Sequence, residues 1–205
     1  MRILIGPDDA SLDREDVDDD ALARLYAPPR PDWWRASMVA TTDGAASGPD
    51  GLSGSINNAP DGRVFAALRA HADAIVVGAG TVRAEEYGPA DVPIVCLTRG
   101  AEVPPSLADA PDGTVLLRSM DDPAALRAEL SERGLMSVTV EGGPSVLATL
   151  LAAGVVDELC LTTVPRLLGG DAGRITAGTD VDLALSPTLL LEHDGTLLGR
   201  WEVRR

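Results

Sequence analysis

The sequence predicts an α/β fold whose central sheet is mostly parallel, with an antiparallel hairpin at one edge. Three observations carry this. Strand-like and helix-like segments alternate through the middle of the chain. Two strand-to-helix turns are rich in glycine, "VVGAGTVR" and "VEGGPS". The chain closes on two apolar runs, "TLLLEH" and "TLLGRWEV", separated by Asp194-Gly195, a dipeptide suited to a tight hairpin.

The elements follow in order. The first is an acidic run with a short helix, "SLDREDVDDDALARLYAPP", stopped by Pro28 and Pro29. Its acids read as a solvated face. A strand begins at Trp33, runs to about Thr41 and ends at Asp43-Gly44. The polar, glycine-rich stretch "GPDGLSGSINNAPDG" is a loop long enough to be functional or mobile. In the helix "APDGRVFAALRAHA", Val64, Phe65, Leu68 and His71 share one face. The buried strand "ADAIVVGAG" leads to a short helix from Thr81, and "VPIVCLTRG" is the next strand. A proline-rich linker precedes strand "TVLLRS". Asp122-Pro123 opens the helix "DPAALRAELSERG", and Gly134 stops it. Then come strand "MSVTVEGG", helix "PSVLATLLAAG", strand "VDELCLTTVP", the loop "RLLGGDAGRITAGTD" and the terminal hairpin. The expected organisation is one domain over 1–205 with an acidic N-terminal extension at about 1–30.

Composition limits the function classes. The chain has 205 residues and a formal charge of −15, which repels nucleic acid and anionic membrane. All 17 cationic side chains are arginine, so lysine-dependent chemistry is excluded. The core must be filled by Val, Leu, Ile and Ala, because aromatic residues make up only 3%. Cys96 and Cys160 lie in apolar strand-like runs without a CxxC spacing, which reads as buried thiols in a reducing compartment. The longest apolar run is too short to span a bilayer, and "MRILIGPDDA" meets acids too early for a secretory leader. The expectation is a soluble cytoplasmic protein. Two histidines and two isolated cysteines do not build a zinc site, and no metal is expected.

Both glycine-rich turns open at the carboxyl ends of parallel strands, where α/β sheets bind ligands. Bare amides at helix starts favour phosphate, and glycine lets a pyrophosphate approach the backbone. Either turn alone also reads as a packing turn without ligand. Asp43 places a carboxylate at a strand end beside the long loop, or else forms a plain Asp-Gly turn. Glu141 ends an apolar strand just before a helix opens.

Taken together, "SMVATTDGAAS", "LRAHADAIVVGAGTVRAEEYGP" and "VEGGPSVLATLLAAGVVDELCLTTVPRLLGG" resemble, in order and spacing, the reductase domain of bacterial riboflavin biosynthesis. The resemblance covers about residues 33 to 205 and implies a dihydrofolate reductase-like fold. It implies an NADPH-dependent reduction of the ribosylamino group of a phosphorylated pyrimidine to a ribitylamino group. By resemblance, Gly78, Ala79, Gly80 and Thr81 line the cofactor. Gly142 and Gly143 cradle its pyrophosphate, with Pro144 and Ser145 following, and their peptide is cis or otherwise strained. Thr98 and Arg99 of "LTR" receive the adenosine 2′-phosphate, a task that suits a guanidinium. On the substrate side the resemblance implies Arg35, Ser37, Asp43 and Glu141, with Asp43 and Glu141 closest to the chemistry. Asp43 either binds the aminopyrimidine or relays a proton.

The chain departs from that family in three places. It carries no HxE or PCxxC motif of the deaminase-like half often fused to this domain. Arg35 stands where a lysine is common. After "TVRAEEYGP" the chain turns straight into "ADVPIVCLTR", without a recognisable phosphate-binding arginine stretch. A related pyrimidine or pteridine therefore remains an alternative substrate. The expected partners are a small-molecule substrate and a second copy of the chain. The apolar C-terminal strands suit such pairing across a two-fold.

Overall fold

Aliphatic runs such as "AIVV" (74–77) and "IVCL" (94–97) are buried at every residue. A strand of that kind needs cover on both faces, and a parallel sheet between helix layers supplies it. The structure, a computed structural model, describes residues 1–7 and 13–205. In chain order its elements are β1 (Arg2–Ile5), α1 (Asp19–Leu25), β2 (Trp33–Thr41), α2 (Ala59–Ala70), β3 (Ala74–Gly78), α3 (Ala79–Ala84) and β4 (Ile94–Leu97). A 3-10 turn at Pro105–Leu107 leads to β5 (Val115–Arg118), α4 (Pro123–Glu132), β6 (Ser137–Val140), α5 (Pro144–Ala152), β7 (Glu158–Val164), β8 (Leu185–His193) and β9 (Thr196–Val203).

All nine strands join one sheet in the order β1-β8-β9-β7-β2-β6-β3-β4-β5. From β7 to β5 every neighbouring pair is parallel. The terminal hairpin pairs antiparallel to β7, and β1 closes the edge antiparallel to β8. At the hairpin tip Asp194 and Gly195 both have positive φ, +49° and +78°, as a primed turn requires.

The two faces bury different partners. Trp34, Ala36, Val76 and Val140 pack against Leu126 and Leu130 of α4 and Leu147 and Leu150 of α5. On the other face Cys160 packs with Leu22 of α1 and Leu68 of α2, while Ile75 and Val77 meet Val82 of α3. Helix starts follow local chemistry. Asp122 Oδ1 accepts the Ala125 amide at 2.9 Å ahead of Pro123. Asn58 Oδ1 accepts the Asp61 amide at 3.2 Å.

Two expectations change. The helix expected from Thr81 starts at Ala79, so the glycine turn itself is its first turn. The acidic N-terminal segment is built into the fold: Met1 and Ile3 bury with Val17, Leu22, Leu25 and Tyr26. The expected acidic run begins at Ser11 and Leu12, which lie outside the described residues. Among the described residues, no helix is long and apolar enough to cross a membrane.

Candidate active site

Parallel pairing of β3 with β6 puts their carboxyl ends side by side, with Val76 opposite Val140. The two glycine turns therefore meet. The Gly78 amide donates to the Gly142 carbonyl at 2.8 Å, and the Glu141 amide donates to the Val76 carbonyl at 2.9 Å. Gly142 has φ +85°, which favours glycine, and the Gly142–Gly143 peptide is cis. A Cβ added at Gly143 would lie 2.7 Å from Thr81 Oγ1, and one at Gly78 would lie 2.9 Å from Val146 Cγ2. At Gly80 an added Cβ would meet nothing within 4 Å, so that glycine faces open space. Of the residues expected to contact a cofactor, Gly80, Thr81, Gly143 and Pro144 line one cleft of about 580 Å³. Gly78, Ala79 and Gly142 are buried beneath it, and Ser145 is exposed on the first turn of α5.

The cleft lies on the α2 and α3 face, over the carboxyl ends of β2, β3 and β6. Ser37 lines it from β2, and Glu141 lies in its wall. The Glu141 side chain is 1% exposed. Its two oxygens accept Arg69 Nε at 2.8 Å and Arg69 Nη2 at 2.7 Å, a bidentate pair. The Arg69 guanidinium sits over the Phe65 ring at 4.4 Å and lies 5.7 Å from the Tyr87 ring. Burial, and then the nearby Glu141 carboxylate, push the Tyr87 hydroxyl well above the usual phenol range. That hydroxyl keeps its proton at neutral pH.

Helix α2 contributes a second stripe. Asp61, Phe65 and Arg69, spaced four apart, all line the cleft. Val64 and Leu68 face the core instead. Phe65 was expected with the core face, and Asp61 and Arg69 were not expected at the site. The long loop after β2 closes the cleft, and Glu85 holds it. Glu85 Oε1 accepts the Ser53 amide at 2.6 Å, and Oε2 accepts the Gly54 amide at 3.4 Å.

Two expected substrate residues lie elsewhere. Arg35 is fully buried in the amino-terminal half of β2, where its guanidinium donates to the Tyr26 and Leu68 carbonyls. It faces the core between α1 and α2, not the cleft. Asp43 is exposed and does not line the cleft. Its carboxylate accepts Thr41 Oγ1 at 2.5 Å, the Gly169 amide at 2.7 Å and the Leu168 amide at 3.1 Å. The Thr41 hydroxyl, then the Gly169 amide, lower its pKa to about 2. Such a group holds no proton to relay at neutral pH. Asp43 instead ties the end of β2 to the "LLGG" loop. Thr98 and Arg99 follow β4 and are not among the residues that line the cleft, with Arg99 exposed; among the described residues no carboxylate pairs with it.

A second cavity of about 570 Å³ lies at the opposite, amino-terminal end of the strands. Of its two carboxylates, Glu158 accepts Arg200 Nε at 2.7 Å and Trp33 Nε1 at 3.1 Å, and Glu202 lies 3.5 Å from Arg204 Nη1.

This sheet, with a cleft where two glycine turns meet, has a dihydrofolate reductase-like fold. The chain belongs to the RibD C-terminal domain family, whose match spans residues 32–194. It is 31% identical over 170 residues to the riboflavin biosynthesis protein RibD of Mycobacterium tuberculosis, covering 76% of this chain and 47% of that protein. The chain thus spans about half the length of that relative. Its fold is similar to a pyrimidine reductase-like protein from Corynebacterium diphtheriae, with TM-score 0.74, 22% identity and coverage of 90% and 99% of the two chains. It is also similar to the dihydrofolate reductase of Enterococcus faecalis solved with NADP(H), with TM-score 0.53, 15% identity and coverage of 85% and 98%.

Proposed function

We propose that this domain is an NADPH-dependent reductase of the riboflavin-biosynthesis type. Its substrate is 5-amino-6-(5-phosphoribosylamino)uracil or a close analogue, whose ribosylamino group it converts to the ribitylamino form. The observation that carries this reading is the junction of the two glycine turns at the lip of the cleft that Glu141 lines. Gly143 leaves the backbone bare at the cleft surface where a pyrophosphate would lie, with Gly78 and Gly142 closely packed beneath it. The bound cofactor supplies the hydride. The protein's share is positioning and water exclusion by the loop that Glu85 holds. Arg69 fixes the Glu141 carboxylate, and Tyr87 offers a proton-bearing hydroxyl beside it. Arg99, exposed at the end of β4, supports preference for a 2′-phosphate and hence for NADPH over NADH. The NADP(H) bound to the Enterococcus faecalis enzyme of the same fold supports the choice of cofactor.

The same reading takes the protein to be a cytoplasmic homodimer. Leu4, Ile5, Leu185 and Leu197 are exposed on β1, β8 and β9 and support pairing at that edge. Light scattering at micromolar concentration showing only the 21.3 kDa species would remove the dimer. The activity is tested by following NADPH oxidation with the phosphoribosylaminopyrimidine and, separately, with dihydrofolate. Oxidation with the first and not the second is expected. The reverse pattern assigns the site to a pteridine, and oxidation with neither overturns the reading.

A further inference from the structure

The cavity of about 570 Å³ at the amino-terminal end of the strands is large enough for a small organic ligand, and it shares no lining residue with the cleft at the other end. Three guanidinium groups line it, from Arg24, Arg30 and Arg200, against two carboxylates, Glu158 and Glu202. The chain as a whole has formal charge −15, so this local excess of positive charge opposes the sign of the molecule. Arg200 Nε donates to Glu158 at 2.7 Å, and Arg30 Nη2 donates to Asp157 at 3.2 Å. Arg24, exposed on the last turn of α1, makes no ion pair and no side-chain hydrogen bond among the described residues.

A second unpaired cation lies behind the wall. Arg35 is the cross-strand neighbour of Glu158 in the register of β2 with β7, and it is fully buried. Its guanidinium donates to the Tyr26 and Leu68 carbonyls, and its Nε has no hydrogen-bond partner among the described residues. No carboxylate lies within ion-pair distance of it among those residues. An arginine does not shed its proton. A buried cation without a counter-charge is unfavourable, and an anion drawn into the neighbouring cavity would offset part of that penalty. Glu158 offsets it only in part, because both of its oxygens already accept Arg200.

The walls favour a flat ring. The Arg30 guanidinium lies over the Trp33 ring at 4.7 Å, and both residues line the cavity. A guanidinium stacked on one aromatic ring has a second flat face for another. Leu25, Pro29 and Leu189 add apolar surface. We propose that this cavity is a second ligand site, for a planar aromatic compound carrying one acidic group, with the ring against Arg30 and Trp33 and the acid on Arg24. A guanidinium holds a carboxylate or a phosphate in the same bidentate way, so either acid supplies the chemistry. The site is independent of the reductase cleft and of its proposed reaction.

The test titrates 2-naphthoate and 2-naphthyl phosphate into isotope-labelled protein and follows the assigned indole N–H signal of Trp33 by NMR. 2-Naphthol supplies the ring without the charge; acetate and inorganic phosphate supply the charge without the ring. At least one naphthyl acid should move the Trp33 signal saturably and bind about tenfold more tightly, or better, than all three controls. Which of the two acids binds distinguishes a carboxylate site from a phosphate site. Arg24→Met removes an exposed cation and keeps a long side chain; it should weaken that binding about tenfold and leave the Gly80 and Thr81 amide signals in the other cleft unmoved. No shift at Trp33 with either acid overturns the proposal, as does a control that binds equally well. Shifts confined to Gly80, Thr81 and Gly143 place the probes in the other cleft and overturn it too. So does an Arg24→Met protein that binds like the wild type. The wild-type titrations decide the outcome whether or not the variant folds.

Discussion

The Gly78 amide and the Gly142 carbonyl form a hydrogen bond at 2.8 Å, which joins two turns from distant parts of the chain at one lip of the cleft. Neither turn makes a nucleotide site alone. Joined, they place Gly143 beside Gly80 and Thr81 on the cleft surface, with Gly78 and Gly142 buried beneath. The Gly78 position is closely packed, since an added Cβ would lie 2.9 Å from Val146 Cγ2. The geometry therefore links the packing of α5 on the sheet to the shape of the ligand surface.

Arg99→Ala should weaken NADPH binding by about 1–3 kcal/mol, the range for a lost charge-assisted contact. NADH binding should not change, because NADH has no 2′-phosphate. Parallel titrations with the two cofactors check this. Equal loss for both would move the 2′-phosphate contact away from the end of β4.

The pair formed by Arg69 and Glu141 is lopsided in burial, with side chains 33% and 1% exposed. Removing the cation leaves a buried carboxylate without its partner. A fully buried pair would lose about 3–5 kcal/mol; solvent at Arg69 reduces that to about 2 kcal/mol for Arg69→Met. The double variant Arg69→Met with Glu141→Gln should recover part of the loss, which urea unfolding of the four proteins would measure. Glu141→Gln alone should spare NADPH binding and lower turnover.

Asp43 predicts an acid-sensitive clamp. Its folded pKa of about 2 lies below the ordinary 3.8, so its contribution is complete above about pH 4 and is lost as pH falls toward 2. Melting temperature followed across that window should fall more steeply for the wild-type protein than for Asp43→Asn. Matching slopes would show that the carboxylate does not hold the loop at Leu168 and Gly169.

What could be read from the sequence followed the strength of local chemistry. Asp122-Pro123, Asp194-Gly195 and the "VEGGPS" turn each act within a few residues and form where expected, while "GAG" is taken into the first turn of α3. Arg35 misled because it lies two positions before Ser37 and points to the same face. Yet β2 is nine residues long, and only its later half reaches the cleft. The stripe of Asp61, Phe65 and Arg69 was hidden by the stronger apolar stripe beside it. Spacing four apart with two charged members was the available signal. Strand β1 was obscured because four residues of "RILI" precede an acidic run, and its pairing with β8 depends on contacts across nearly the whole chain.

In the proposed reading, bare backbone at Gly143, above the buried Gly142, holds the cofactor against the cleft. Isothermal titration of NADPH into the wild-type protein and Gly143→Ala tests it most directly. The new Cβ would lie 2.7 Å from Thr81 Oγ1, so it displaces a residue of the same surface. A dissociation constant raised tenfold or more, about 1.4 kcal/mol, is expected, with the fold retained. Normal NADPH binding by a Gly143→Ala protein that melts several degrees lower would contradict it and make the joined turns a packing device.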